Sequence, residues 1–541
     1  MMTTQRWITT VACLLLTGAG LLAHASTWQG GWTFDDYGDI VNNNRVHDLG
    51  NATTIITRAR RPLTELTFAV NYAIGELNPV GYHLINIAIH LITGISLFML
   101  FRMLLAPIGA ARERPMNELA FLIALLWIVH PISTSTVTYT VQRAEAMASM
   151  WYVLGMLTFM IGLQRPKAWP WFAITIACSA LGLASKAIVV TLPVMLLLLM
   201  YAYGRDGASS RRARWVTIGG TVMTWSVMWF TRVAPGVLST DKATATAGFS
   251  YQGITPWDYL LTQSEVLLHG LRLTVLPNAM SLDYQWPPAT SIGDVIVPAI
   301  IILALLAATV YLLVRHRHVG VLAAWFFIIL APTSTIVPIR DLANDHRFYL
   351  AIAGVIATLG VMLWCIVPKA WLPSMRGRTP ALVALLLVVG LATTFSVMTF
   401  KRASMYAQEI TLWRDVLAKN PENPRALLRV GQNLEALGDA QQSAAQNYAA
   451  VDDTVNAQAF ATRALAFHQN AESYYQRAID IWPDYTEAHL EFGDRLRLDG
   501  RSAAAITAYE SALEFRRRNE PRKASLAAFG IARSMAYTPR S

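Results

Sequence analysis

The sequence predicts an all-α protein in two parts: a polytopic membrane bundle of about eleven transmembrane helices, then a domain of helical repeats. Two observations carry that prediction. Of 541 residues, 54% are hydrophobic and only 14% charged, against about 25% charged in an ordinary soluble domain. The charged residues are also unevenly spread, sparse up to about Phe400 and common from Lys401 onward. With a mean hydropathy of +0.38 most of the chain must face lipid, and the shift in charge divides it into 1–400 and 401–541.

A bilayer core requires about 20 apolar residues per helix. Such windows lie near 7–23, 82–104, 118–131, 145–163, 169–184, 187–203, 215–231, 292–314, 320–338, 349–367 and 380–398. Alternate connectors hold Arg102, Arg112 and Arg114; Arg165 and Lys167; Arg205, Arg211, Arg212 and Arg214; Arg315 and Arg317; and Lys369, Arg376 and Arg378. The positive-inside rule makes these the cytoplasmic loops. That placement also accounts for the net charge of +10 without nucleic acid, because the basic residues sit in short connectors rather than on one amphipathic face.

The opposite set of connectors then lies outside the cytoplasm: loops 25–80 and 232–290, and the turns at 132–143, at Ser185 and Lys186, and at 339–347. An odd number of spans puts everything after Lys401 on that side too, in the periplasm of a bacterial inner membrane or the endoplasmic reticulum lumen of a eukaryote. The first window also fits a secretory signal ending at Ala23-His24-Ala25, and a retained anchor is the reading adopted. Stretches 62–76 and 256–277 are apolar at helical spacing but interrupted by Glu65, Asn71, Glu265, His269 and Arg272, as in helices lying in the interface. Cys13, Cys178 and Cys365 each fall in an apolar stretch and read as small core residues.

From Glu409 alanine-rich helical periodicity sets in. Tyr475, Ala478, Pro483, Ala488, Gly493, Gly500, Tyr509 and Ala512 approach the tetratricopeptide pattern of paired helices with small residues where they cross. Pro421, Ala426, Gly431 and Gly438 begin an earlier copy, and Pro421 and Pro483 stand 62 positions apart, just under two such units. About two to three repeats are expected, with an irregular stretch at 440–470.

Every candidate for chemistry falls on the external side. Asp35 and Asp36, beside Trp32, Phe34 and Tyr37, are suited to deprotonate an acceptor hydroxyl or to hold a divalent cation. His130, Arg143 and Glu145 mark the lip of a span, where charge is costly unless paired or wetted. Lys186, His346 and Arg347 are placed to meet a lipid phosphate. On the cytoplasmic side there is no Gly-rich phosphate loop, HExxH, GxSxG or CxxC.

The run Arg61 to Leu91, together with Phe34 to Asp36, His130 to Ala148, Ser185-Lys186 and Arg347 to Leu350, resembles the transmembrane and tetratricopeptide-repeat O-mannosyltransferases and their bacterial relatives. The resemblance implies a glycosyltransferase of the GT-C class. Such an enzyme moves a sugar from a polyprenyl-phosphate donor to a hydroxyl, here a Ser or Thr of a protein handled by the repeats. It implies Asp35 and Asp36 as the catalytic base pair and His130, Arg143, Glu145, Lys186, His346 and Arg347 as donor-binding residues. Direct displacement would invert the anomeric carbon. The chain departs from the pattern in its few repeats and in Asp345-His346 before Arg347. Two competing readings are a membrane-anchored repeat scaffold for cell-envelope assembly and a lipid-linked sugar transporter. The first leaves about eleven spans unexplained, and the second requires polar, broken helices at mid-membrane depth.

Overall fold

A computed structural model describes residues 2–112, 116–205, 207–238, 247–249, 251, 253–366, 378–514 and 521–536. Of the basic connector residues, Arg114, Lys369 and Arg376 lie outside these. Among the described residues all regular elements are helical, and only an antiparallel bridge between Ala247 and Ile339 breaks the pattern. The chain divides into two compact units. One comprises Met1–Thr240, Ala245–Met280 and Trp286–Ala407; the other comprises Asp241–Thr244, Ser281–Gln285 and Gln408–Ser541. The charge shift at 400 falls inside the helix Arg378–Ser404, with Lys401 and Arg402 in its last turn. Helical backbone carries the chain a turn past the point where composition changes.

In the first unit, α1 (Met2–Ala23), α2 (Pro62–Gly75), α3 (Pro79–Arg112), α4 (Asn117–Ile128), α5 (Arg143–Leu163) and α6 (Trp169–Leu183) build the part that carries the site. Pro62 sits in the first turn of α2, where its missing N–H is no loss. Helix α5 is almost wholly buried. Small residues let its neighbours close on it: a Cβ on Gly155 would stand 3.1 Å from Leu192, and one on Gly162 2.5 Å from Phe172. In contrast, Ile292–Arg315 exposes Ile296, Val297, Ile300 and Leu303, the apolar surface of a lipid-facing helix.

Among the described residues five helices are long and apolar enough to cross a membrane: Arg6–Ala23, Pro79–Arg112, Thr140–Leu163, Ile292–Arg315 and Leu386–Ala407. A sixth arises if Asn117–Ile128 and Pro131–Val137, bent by 47°, form one broken span. The chain is thus a multi-pass membrane protein, and among the described residues full-length helices are fewer than the eleven apolar windows. The remaining windows fall mainly on shorter apolar helices, Trp169–Ser185, Ala187–Tyr203, Arg317–Leu330 and Ala351–Ile366. Hydropathy counts apolar residues but not backbone breaks. Window 187–203 opens with a 3₁₀ turn, Ala187–Thr191, leaving a 12-residue α-helix, Leu192–Tyr203, that rises about 18 Å against a core of about 30 Å. Window 215–231 breaks between Arg211–Met223 and Ser226–Phe230.

The second unit packs α7 (Glu409–Lys419), α8 (Pro424–Ala449), α9 (Thr454–Ile481), α10 (Thr486–Leu498), α11 (Ser502–Glu514) and α12 (Pro521–Ala536) in sequence. Asn423 and Asp453 cap the N-termini of α8 and α9, accepting from Ala426 N and Asn456 N at 2.9 and 3.1 Å. The stretch 440–470, expected to be irregular, is helical on either side of a turn at 450–453, with Asp452 at φ +61°. Its extra residues lengthen both arms of the α8–α9 hairpin instead of breaking them. The small residues read as crossing points are such: Cβ atoms on Gly431 and Gly493 would stand 2.4 and 2.7 Å from the rings of Tyr475 and Tyr509.

Tyr475 cannot swing aside, because its hydroxyl donates to Glu435 Oε2 at 2.6 Å. Gly431→Val should therefore lower the stability of the second unit by about 1–3 kcal/mol through overpacking. Thermal unfolding of the purified chain checks this, and an unchanged midpoint would mean that α8 and α9 are free to separate.

Candidate functional site

The site grows from an irregular, fully buried stretch between α4 and α5, residues His130 to Gln142. Its backbone polar groups have few helical partners, so side chains from distant elements satisfy them. Asn86 Nδ2 of α3 donates to Val137 O and Thr140 O at 3.2 and 3.4 Å. Thr399 Oγ1 donates to Val129 O at 2.7 Å. His24 Nε2 lies 3.1 Å from Ser133 Oγ, and Thr27 Oγ1 lies 3.0 Å from Thr138 Oγ1.

The two aspartates of the first loop separate into different roles. Asp36 is completely buried, and its carboxylate accepts the N–H of Val141 at 2.7 Å through Oδ1 and that of Thr33 at 3.0 Å through Oδ2. Burial pushes its carboxyl well above the usual range, against the pull of those two amides. Asp35 is exposed beside it. Its N–H donates to the Tyr139 hydroxyl at 3.0 Å, and the same hydroxyl bonds the Asp35 side chain. The preceding residue, Phe34, stands at φ +47°, a conformation costly for a bulky side chain. A strained residue, a buried carboxylate and a tyrosine hydroxyl together turn Asp35 outward.

Arg143, at the start of α5, is equally buried. It donates through Nε to Asn86 Oδ1 at 2.7 Å, through Nη1 to Asn71 Oδ1 at 2.6 Å and Thr67 Oγ1 at 3.2 Å, and through Nη2 to Tyr82 O at 2.9 Å. The guanidinium lies 4.6 Å from the Phe68 ring centroid. Its hydrogen-bonding capacity is spent on clamping α2, α3 and α5 together. His130 is held in the same way: Nε2–H donates to Thr274 O at 3.1 Å while Nδ1 accepts from Ile132 N at 3.2 Å, which fixes a neutral tautomer.

Lys186, Glu145, His346 and Arg347 gather beside the end of that stretch, at Gln142. Lys186 Nζ lies 2.8 Å from Glu145 Oε2 and donates to Gln142 Oε1 at 3.3 Å. Glu145 Oε1 is buried with no hydrogen-bond donor among the described residues. Arg347 donates through Nη2 to Asp341 O at 2.6 Å and through Nη1 to Leu342 O at 3.3 Å, so two carbonyl dipoles hold its guanidinium in place. Burial holds the Lys186 ammonium below its ordinary range, opposed by Glu145. Burial, then the charges of Lys186, Arg347 and Arg61, keeps His346 well below the usual imidazole range and hence neutral at pH 7. The result is a buried basic cluster suited to a phosphate. Among the described residues, no group of three or more His, Cys, Asp or Glu side chains is arranged to hold a metal ion.

The residues missing from the sequence reading are Asn86, Tyr139 and Arg61. All three lie within conspicuous motifs, but only the long-range contacts reveal what they meet.

No family model matches the chain, and no solved structure matches it. Its curated relatives are protein O-mannosyl-transferases. TMTC3 of Homo sapiens is 28% identical over 172 residues, covering 29% of this chain and 18% of the relative. TMTC4 of Homo sapiens is 32% identical over 169 residues, covering 27% and 22%. TMTC2 of Mus musculus is 29% identical over 195 residues, covering 32% and 22%. The chain thus spans about a fifth of the length of these relatives. It is related in sequence to the TMTC-type proteins.

The aspartate pair can be separated by stability alone. Asp36→Asn replaces one of two amide acceptors with a donor and should cost about 1–3 kcal/mol. Asp35→Asn, at an exposed position, should stay within about 0.5 kcal/mol of wild type. Thermal unfolding of the two variants checks this, and equal losses would contradict the division of roles.

Proposed function

We propose that this chain is a membrane glycosyltransferase of the GT-C class. It transfers a sugar from a polyprenyl-phosphate donor to a Ser or Thr hydroxyl of a protein on the periplasmic or luminal face. Two observations support the reading: an exposed carboxylate, Asp35, in the loop after the first helix, and a separate cluster in which Lys186, His346 and Arg347 come together. The relatives' names add a protein acceptor and mannose, which makes mannose the first sugar to test.

In the proposed reaction Asp35 takes the proton of the acceptor hydroxyl as its oxygen attacks the anomeric carbon. The bond from that carbon to the phosphate oxygen breaks, its electron pair leaves with the polyprenyl phosphate, and the configuration inverts. Lys186 and Arg347 stabilise the negative charge growing on the leaving phosphate. Fixed cations in a site of low dielectric are effective there because they need not reorganise. Asp36, Arg143 and His130 act as positioning residues, since their polar atoms are committed to backbone and neighbouring side chains. Glu145 positions Lys186. The shorter apolar helices and the bent pair complete a set of about eleven membrane-embedded elements. The helix pairs after Gln408 are tetratricopeptide repeats that present the acceptor.

Purified protein given polyprenyl-phosphate mannose and an acceptor protein should glycosylate it. Asp35→Asn should lower kcat by roughly 10²–10⁴-fold, the contribution of a positioned general base. Tyr139→Phe removes a donor to the ionised carboxylate, so the acid limb of its kcat/KM profile should move to higher pH while the donor KM holds. Full activity of Asp35→Asn would remove the base assignment. Absence of transfer from any polyprenyl-phosphate sugar would remove the reading itself.

A further inference from the structure

The basic cluster has a member outside the candidate set. Arg61 is the residue before α2 and is half-buried. The start of α2 is seated on the turn that carries Lys186: Leu63 N donates to Ala184 O at 3.2 Å, and Thr64 Oγ1 donates to Ser185 O at 3.5 Å. These bonds, with Pro62 fixing the backbone at the first turn, bring Arg61 beside Lys186 although 125 positions of chain separate them. Its charge acts on Lys186 and His346 on one side, and on Asp39 and Glu65 on the other.

The neighbours are not alike in what they offer. Lys186 is paired with Glu145, and Glu65 is paired with Arg45 at 2.8 Å. Arg347 is bonded to two carbonyls. The Arg61 guanidinium makes no hydrogen bond or ion pair among the described residues. This half-buried cation is attracted by Asp39 and Glu65, neither of which it bonds, and is repelled by Lys186, so the repulsion is offset by no direct bond to Arg61. An anion that bridges all three reverses that balance, and the planar fork of arginine matches two oxygens of a phosphate.

We infer that Arg61 is a third phosphate-binding residue, which clasps the donor phosphate jointly with Lys186 and Arg347 and links the basic cluster to the loop that carries Asp35. This rests on the proposed donor site. Arg60, the preceding residue, is exposed and supplies a control with the same charge at the same place in the chain.

The test measures binding of a long-chain polyprenyl phosphate in detergent by thermal shift, with transfer kinetics alongside. Wild type, Arg61→Ala, Arg61→Lys and Arg60→Ala are compared, with phosphatidylglycerol and inorganic phosphate as competitors. Arg61→Ala should weaken binding roughly tenfold to a hundredfold, as expected for lost charge-assisted hydrogen bonds. Arg61→Lys should recover part of it, Arg60→Ala should match wild type, and the ligand-free melting points and the acceptor KM should not move. Equal affinity of wild type and Arg61→Ala overturns the inference and leaves the glycosyltransferase reading standing. Full displacement by phosphatidylglycerol also overturns it, by making the site one for general lipid headgroups. If wild type neither binds the probe nor transfers sugar, the donor site falls and Arg61 with it.

Discussion

Two backbone amides converge on one buried carboxylate, and the candidate site of the membrane unit depends on that convergence. Asp36 joins the N–H of Thr33, in the loop after the first helix, to the N–H of Val141, in the turn before α5. Left unpaired in a buried setting, each of those groups would cost free energy comparable to a lost hydrogen bond. The single side chain removes both penalties and fixes the register of two segments 105 positions apart. Asp35 is outward because Asp36 is inward. A one-residue slip in this loop would bury the wrong carboxylate.

Arg143 performs the matching task on the other side of the turn. A charge at the end of a membrane helix is tolerated only when surrounded by partners, and here Asn71, Thr67, Asn86 and the Tyr82 carbonyl supply them with two aromatic faces. Because those partners come from α2 and α3, the guanidinium ties three helices at the level where the basic cluster begins. Glu145 follows two residues later on α5. Arg143 thus sets the height at which Glu145 meets Lys186.

Some of this was legible in the sequence. Long apolar runs such as Pro79–Arg112 declare themselves because lipid demands them, and Gly431 and Gly493 mark helix crossings because only a missing side chain fits there. What stayed hidden depends on contacts between distant positions. Asp35 and Asp36 are identical in type and adjacent, so nothing local tells which one Val141 will capture. His130 and Arg143 carry chemistry-bearing side chains, yet Thr274, Asn71 and Asn86 absorb their polar atoms. Arg61 reads as an ordinary residue before a proline until α2 is seated on Ala184 and Ser185. Among the described residues the apolar windows outnumber the full-length helices for a different reason: hydropathy is additive along the chain, whereas helix length is decided by single breaks.

The Lys186–Glu145 pair carries the last step of this logic. A buried ion pair recovers its desolvation cost only when its remaining lone pairs and protons are also satisfied. Glu145 Oε1 has no donor among the described residues, so the pair is poorly justified as a stabilising device. It is better justified as a way of storing a lysine. The carboxylate keeps the ammonium charged and in place within a setting whose burial favours the neutral amine. In the proposed donor site, an anionic ligand entering beside it would find a cation already desolvated and held in place. Buried polar groups that go unsatisfied tend to coincide with function, and this carboxylate lies where the chain's basic residues converge.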